Sequence, residues 1–289
     1  MSFAQALTAA SALIEARLVH AFVGKPDQPV VQAMRYALRG GKRLRGFLVL
    51  ESARMLGVSL EQAVAAAAAV EAMHAYSLVH DDLPCMDDDD LRRGQPSVHV
   101  KWGEAVAVLA GDALQTLAFE LLCDPALGSA GVRMALVAGL ARASGAEGMV
   151  LGQALDIAAE TAATPPGLAE ITALQAGKTG ALIGWAAGAG AVIAGVSPKP
   201  LAKYAAALGL AFQIADDILD VTGDAGKAGK RLHKDADAGK ATFVTLLGLD
   251  AARARAQSLV AEAEAALRVY GDAAENLIAA ARFAISRDN

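Results

Sequence analysis

Apolar residues recur three and four positions apart along most of the chain, the spacing of one face of an α-helix, and strict apolar–polar alternation is rare. This pattern predicts helices over 1–20, 28–39, 43–57, 103–123, 129–160, 168–178, 199–220, 242–268 and 272–286. Ser59-Leu60-Glu61-Gln62 has capping-box spacing and opens a further helical run to Asp82. Punctuation falls at Gly40-Gly41, Pro84, Asp124-Pro125, Pro165-Pro166-Gly167, Ser197-Pro198 and 223–240. No linker there demands a domain boundary, so one all-α domain across 1–289 is expected. The uncharged stretch TGALIGWAAGAGAVIAGVSP (179–198) is about the ~20 residues a membrane span needs. Its Gly and Ala content favours instead the buried central helix of a bundle, and no membrane span is expected.

Composition agrees with close helix packing: 55% of the 289 residues are apolar but only 4% aromatic. A net charge of −5 argues against general nucleic-acid binding, which needs a basic face. Cys85 and Cys123 give neither a disulfide framework nor zinc spacing. The N-terminal helix carries Glu15 and Arg17 and lacks the basic start and unbroken apolar core of a signal peptide. A reducing, cytoplasmic setting is expected.

Against this apolar background, HDDLPCMDDDDLRRG (80–94) crowds six aspartates into ten positions. Two like charges 4 Å apart repel by about 4 kcal/mol at an effective dielectric near 20. Such a cluster must be dispersed in water or held by cations. A calcium loop fails on spacing: one starting at Asp87 would need Gly at Arg92 and Glu at Val98, and one starting at Asp89 ends on Val100. The stretch has an echo 135 residues on, in GLAFQIADDILDVTGD (209–224). There Asp216 and Asp220 stand four apart on one helix face, among Phe212, Ile214, Ile218 and Leu219. Carboxylates without cysteines or paired histidines suit a hard ion such as Mg²⁺, which takes one or two of them plus substrate phosphates. Asp81 and Asp87, six apart, do not share an ideal helix face, and Pro84 is expected to loosen the turn between them.

Cations stand beside these motifs. Gly40-Gly41-Lys42-Arg43-Leu44-Arg45 sets Lys42 and Arg45 beside a glycine turn, Arg92 and Arg93 follow the first acidic cluster, and Lys178, Lys230 and Lys240 come later. His74 precedes Asp81 by two helical turns. No Walker loop exists, since Lys230 and Lys240 are followed by Arg231 and Ala241. Serine and cysteine lack evident histidine partners, so metal-assisted departure of a phosphate group is expected rather than covalent catalysis.

HDDLPCMDDDDLRRG, LAFQIADDILD, GGKRLRGFLVL, GQALD (152–156) and LQAGKTGAL (174–182) together resemble the trans-isoprenyl diphosphate synthases, the bacterial farnesyl diphosphate synthases in particular, from about residue 28 to 250. The resemblance implies an isoprenoid-synthase-type helical bundle around a deep central cavity, usually homodimeric. It implies Mg²⁺, three ions with bound diphosphate, on Asp81, Asp87 and Asp216, with Asp82 and Asp220 in the same ligand sets. Arg92, Lys178 and Lys240, with Lys230, would contact the allylic diphosphate. Lys42, Arg45, His74 and Arg93 would form the isopentenyl diphosphate site. Lys178, Thr179 and Gln213 would be the catalytic set beside the reacting carbons, and Gln153 and Asp156 a supporting motif of unspecified role. The implied reaction joins isopentenyl diphosphate to dimethylallyl or geranyl diphosphate: the allylic group ionises, the double bond attacks and a proton is lost.

Burial of each further CH₂ is favourable by about 0.8 kcal/mol, so a steric floor has to end elongation. In the resembled family the positions fifth and fourth before Asp81, here Tyr76 and Ser77, influence chain length, and the resemblance implies that a single aromatic at the fifth gives a fifteen-carbon product. Geranyl or geranylgeranyl diphosphate are the alternative products. A class I terpene cyclase needs no second diphosphate site, and a non-catalytic subunit typically loses an aspartate motif. Three positions depart from the resembled pattern: Gly46 and Val244 stand where proline is usual, and His233-Lys234 where a glycine-containing loop is typical.

Overall fold

The structure is a computed structural model that describes residues 2–162, 164–222 and 241–286. Helix α1 spans Phe3–His20, α2 Pro29–Ala37, α3 Leu44–Met55 and α4 Leu60–Asp81. A two-stranded hairpin, β1 (Leu91–Arg92) and β2 (Gln95–Pro96), leads into α5 (Val98–Trp102) and α6 (Glu104–Leu122). Then come α7 (Ala130–Ser144), α8 (Met149–Glu160), α9 (Leu168–Gln175), α10 (Ala181–Ala194), α11 (Lys199–Thr222), α12 (Phe243–Leu247), α13 (Leu249–Leu267) and α14 (Glu275–Ser286). The described chain is all-α apart from the hairpin, as the periodicity predicts.

Small residues set the packing. In α4, Ala63 and Ala65 through Ala69 are at most 1% exposed, and the helix packs against α1, α3, α6 and α10. Ser59 caps it, its hydroxyl accepting the Gln62 N–H at 3.2 Å. The uncharged stretch forms α10, buried along Leu182, Ile183, Ala186, Ala187, Ala189 and Gly190. At Gly190 the backbone lies so close to α3 that a β-carbon would stand 2.3 Å from Ala53 N. Segments 104–122 and 130–160, and not α10, are long and apolar enough to cross a membrane by length and composition, but α6 packs on α4.

Glycines account for where the helices differ from the periodic reading. The run 129–160 divides between Gly145 and Gly148, where a β-carbon on Gly148 would meet Ala143 O at 2.1 Å. The run 242–268 divides at Gly248, φ +82°. The hairpin is invisible to the helical periodicity: Arg93 (φ 55°) and Gly94 (φ 72°) supply the two left-handed residues that a tight hairpin turn requires. Finally, α9 passes into α10 through a π-helical turn, Ala176–Gly180.

Candidate active site

Helix α4 delivers the first acidic motif. Asp81 ends the helix, and the chain folds back so that Asp87 N–H donates to Asp81 O at 2.8 Å. Met86 N–H to Leu83 O (2.8 Å) and Asp89 N–H to Asp82 O (3.2 Å) close the same turn around Pro84. Asp81 and Asp87 are thereby brought together, as expected. Burial, with Asp87 and Asp82 as like-charged neighbours, lifts the Asp81 carboxyl to about 7, while Lys178 and Arg92 pull it down. Asp82 behaves differently. Its side chain is buried and engaged by Arg92, whose Nε donates at 3.0 Å and whose Nη2 also contacts Oδ1. The resemblance groups Asp82 with the metal ligands; in the structure its carboxylate is bonded by Arg92.

The hairpin supplies both arginines. Tyr36 on α2 donates its hydroxyl to Pro96 O (2.7 Å) and holds the hairpin in place. Arg92 turns back to Asp82 and Asp89, and Arg93 Nη1 donates to Arg39 O at 2.5 Å. A β-carbon on Gly41 would meet Arg93 Nη2 at 2.9 Å, so that glycine makes room for the guanidinium. Between the hairpin and the basic turn lies a cavity of about 530 Å³ lined by Gly40, Gly41, Lys42, Asp82, Arg92 and Arg93. His74 borders this cluster: burial, then Arg45, Arg93, Arg92 and Arg43, hold its imidazole well below the usual range, hence neutral at pH 7. Lys42 Nζ lies 5.3 Å from the ring centre of Phe283 on α14.

The π-turn packs against α8 and α11. Lys178 Nζ lies 2.6 Å from Asp156 Oδ2 on α8, and its charge reaches Asp81. A β-carbon on Gly152 would stand 2.0 Å from Lys178 N, so α8 and the turn touch backbone to backbone. Thr179 Oγ1 donates to Gln213 Oε1 (3.3 Å) on α11. Gln213 Nε2 donates in turn to Asp217 Oδ1 (3.0 Å), and Phe243 N–H donates to Asp217 Oδ2 (2.7 Å). Buried Asp217 is thus a strut between α11 and α12, while half-buried Asp216 and Asp220 stand on the adjoining face. The structural roles of Asp156 and Asp217 were not legible in sequence; GQALD was a motif without a partner until α8 met the turn. Gln153 Nε2 is buried with no hydrogen-bond partner among the described residues.

Among the described residues, no three histidine, cysteine, aspartate or glutamate side chains converge as a ready metal cage. The donor set nevertheless fits Mg²⁺, which needs few protein carboxylates when phosphate oxygens complete its shell. Ser77 Oγ donates to His74 O (2.9 Å), and the Tyr76 ring meets His80 edge-on at 5.2 Å. Lys230, Lys240 and the His233-Lys234 departure lie outside the described residues. Val244 lies within α12.

Residues 27–276 match the family model described as Polyprenyl synthetase. The chain belongs to that family. It is 51% identical over 249 residues to the farnesyl diphosphate synthase of Escherichia coli, covering 84% of this chain and 83% of that protein. It is 46% identical over 242 residues to the enzyme of the same name from Haemophilus influenzae, covering 81% and 80%. Among solved structures, an apo FPP/GFPP synthase from Zymomonas mobilis superposes with a TM-score of 0.89 at 43% identity, covering 98% and 99% of the two chains. The fold is the isoprenoid-synthase helical fold, and the expected family resemblance holds.

Proposed function

We propose that this polyprenyl synthetase makes farnesyl diphosphate from isopentenyl diphosphate and dimethylallyl or geranyl diphosphate, with Mg²⁺, as a cytoplasmic homodimer. The observation that carries the reading is the Lys178–Thr179 turn. Lys178 acts on Asp81 at the tip of α4, and Thr179 bonds Gln213, three residues before Asp216 on α11. Both acid-tipped helices therefore border one site.

In this reading Asp81 and Asp87 at the end of α4, and Asp216 with Asp220 on α11, would hold the metal. Magnesium bound there would supply positive charge against the diphosphate. Asp82 serves by orienting Arg92, and Asp156 by orienting Lys178, so both cations face the leaving oxygens. Lys230 and Lys240 are assigned to the same diphosphate on sequence alone. Lys42, Arg45, Arg93 and neutral His74 bind isopentenyl diphosphate, which gives the arginine-lined cavity its substrate. Thr179 and Gln213 flank the reacting carbons: the allylic C–O bond breaks, the isopentenyl double bond forms the new C–C bond, and a proton is lost. Aspartates here are ligands and struts rather than general acids, and charge placed ahead of reaction is the main catalytic term.

A terpene cyclase would have no use for the arginine-lined cavity. Incubating the purified chain with farnesyl diphosphate alone tests this: no hydrocarbon is expected, and a cyclic hydrocarbon would refute the proposal.

A further inference from the structure

Glu71 is buried on α4, 3% exposed, one turn before His74. A buried carboxylate is costly unless its oxygens are paired. Here both are used: Oε1 accepts the Gly46 N–H at 2.8 Å, and Oε2 lies 3.6 Å from Arg43 Nη1. The first bond falls where α3 lacks a cap of its own. Arg43 is the residue before α3, with φ 51°, and offers no side-chain cap. Gly46 is the third residue of that helix, whose N–H has no partner within the helix. Glu71 therefore caps α3 from another helix. Its second contact pairs the Arg43 guanidinium, which also donates to Leu38 O across the base of the turn.

A proline at position 46 could not make this bond, because it has no N–H to give. Glycine also fits sterically: a β-carbon would stand 2.6 Å from Ile14 Cδ1 and 3.2 Å from Glu71 Cγ. The departure at Gly46 thus makes a specific contact rather than leaving a gap. What Glu71 fixes is a left-handed residue flanked by Lys42 on one side and Arg45 two residues on.

We infer that Glu71 is a positioning residue for the second substrate: through Gly46 and Arg43 it sets the basic turn that presents Lys42 and Arg45 to isopentenyl diphosphate. This rests on the proposed assignment of that cavity. Asp156, through Lys178, does the corresponding work for the allylic diphosphate, so the two supports should be separable in kinetics.

Steady-state kinetics on Glu71→Gln and Glu71→Ala, with isopentenyl and geranyl diphosphate varied in turn, provide the test. In Glu71→Ala the KM for isopentenyl diphosphate should rise about tenfold or more, as expected when a buried N–H loses its acceptor, with the KM for geranyl diphosphate within about twofold. Glu71→Gln, which keeps an oxygen for Gly46 N–H but not the charge for Arg43, should fall between wild type and alanine. Amide exchange in 43–50 should quicken in the same order. Equal rises in both KM values, or a lowered thermal midpoint with an unchanged KM for isopentenyl diphosphate, would overturn the role. If Glu71→Ala does not fold, the Glu71→Gln comparison decides alone. A wild-type chain that forms no prenyl product counts against the proposed function, while the exchange order still reads the Glu71 cap.

Discussion

Asp156 Oδ2 and Lys178 Nζ stand 2.6 Å apart, joining α8 to the π-turn that packs on α11. The aspartate fixes where the lysine charge is aimed. Replacing it with asparagine removes a charge-assisted contact of about 1.5–3 kcal/mol. Asp156→Asn should lower kcat by about 10- to 100-fold with geranyl diphosphate, at 1.4 kcal/mol per tenfold. The KM for isopentenyl diphosphate should stay near wild type. A matching loss in that KM would mean Asp156 supports the whole site rather than Lys178.

The same junction predicts a stability effect. Gly152 leaves no room for a methyl group beside Lys178 N. Gly152→Ala should cost about 1–3 kcal/mol through overpacking, visible as a lower midpoint in urea with an unchanged slope. A variant as stable as wild type would show that α8 and the turn can separate.

Asp81 predicts a pH dependence for the metal-free protein. Its folded pKa, lifted to about 7 chiefly by burial, exceeds the unfolded value of about 4. The folded chain then holds the proton more tightly, so this contribution to stability is full below about pH 4 and is lost as pH rises through 7. Thermal midpoints without metal should fall from pH 5 to 8 in wild type more than in Asp81→Asn. Parallel profiles would remove Asp81 as the source.

Product length is predicted by the α4 positions behind Asp81. The Tyr76 ring packs edge-on against His80, whose Nε2 is 2.9 Å from Val108 O on α6, so the ring has a fixed backing. Tyr76→Ala should lengthen the product, and Ser77→Phe should shorten it to ten carbons. Unchanged products from both variants would place the floor elsewhere.

Much of this site could be read before folding because its chemistry is local: Asp81 and Asp87 come from one turn, Asp216 and Asp220 from one helix face, and Arg92 and Arg93 from adjacent positions. What sequence could not show is which charges meet. The Asp82 contact with Arg92 appears only when a hairpin of six residues folds the arginine back on it. Glu71 reads as one polar residue in an alanine-rich helix, and only the approach of α3 gives it Gly46 and Arg43. The missed breaks at Gly145–Gly148 and Gly248 share a cause. In a chain whose helices are built from glycine and alanine, a glycine that ends a helix looks like one that packs it.

The central claim is that the two acid-tipped helices serve one diphosphate, and the most direct measurement is product analysis with purified chain, isopentenyl diphosphate, geranyl diphosphate and Mg²⁺, run beside Asp81→Asn and Asp216→Asn. Wild type should release farnesyl diphosphate and pyrophosphate in equal amounts, and each single variant should lose most of that turnover. A variant of either helix that keeps wild-type turnover would contradict the claim.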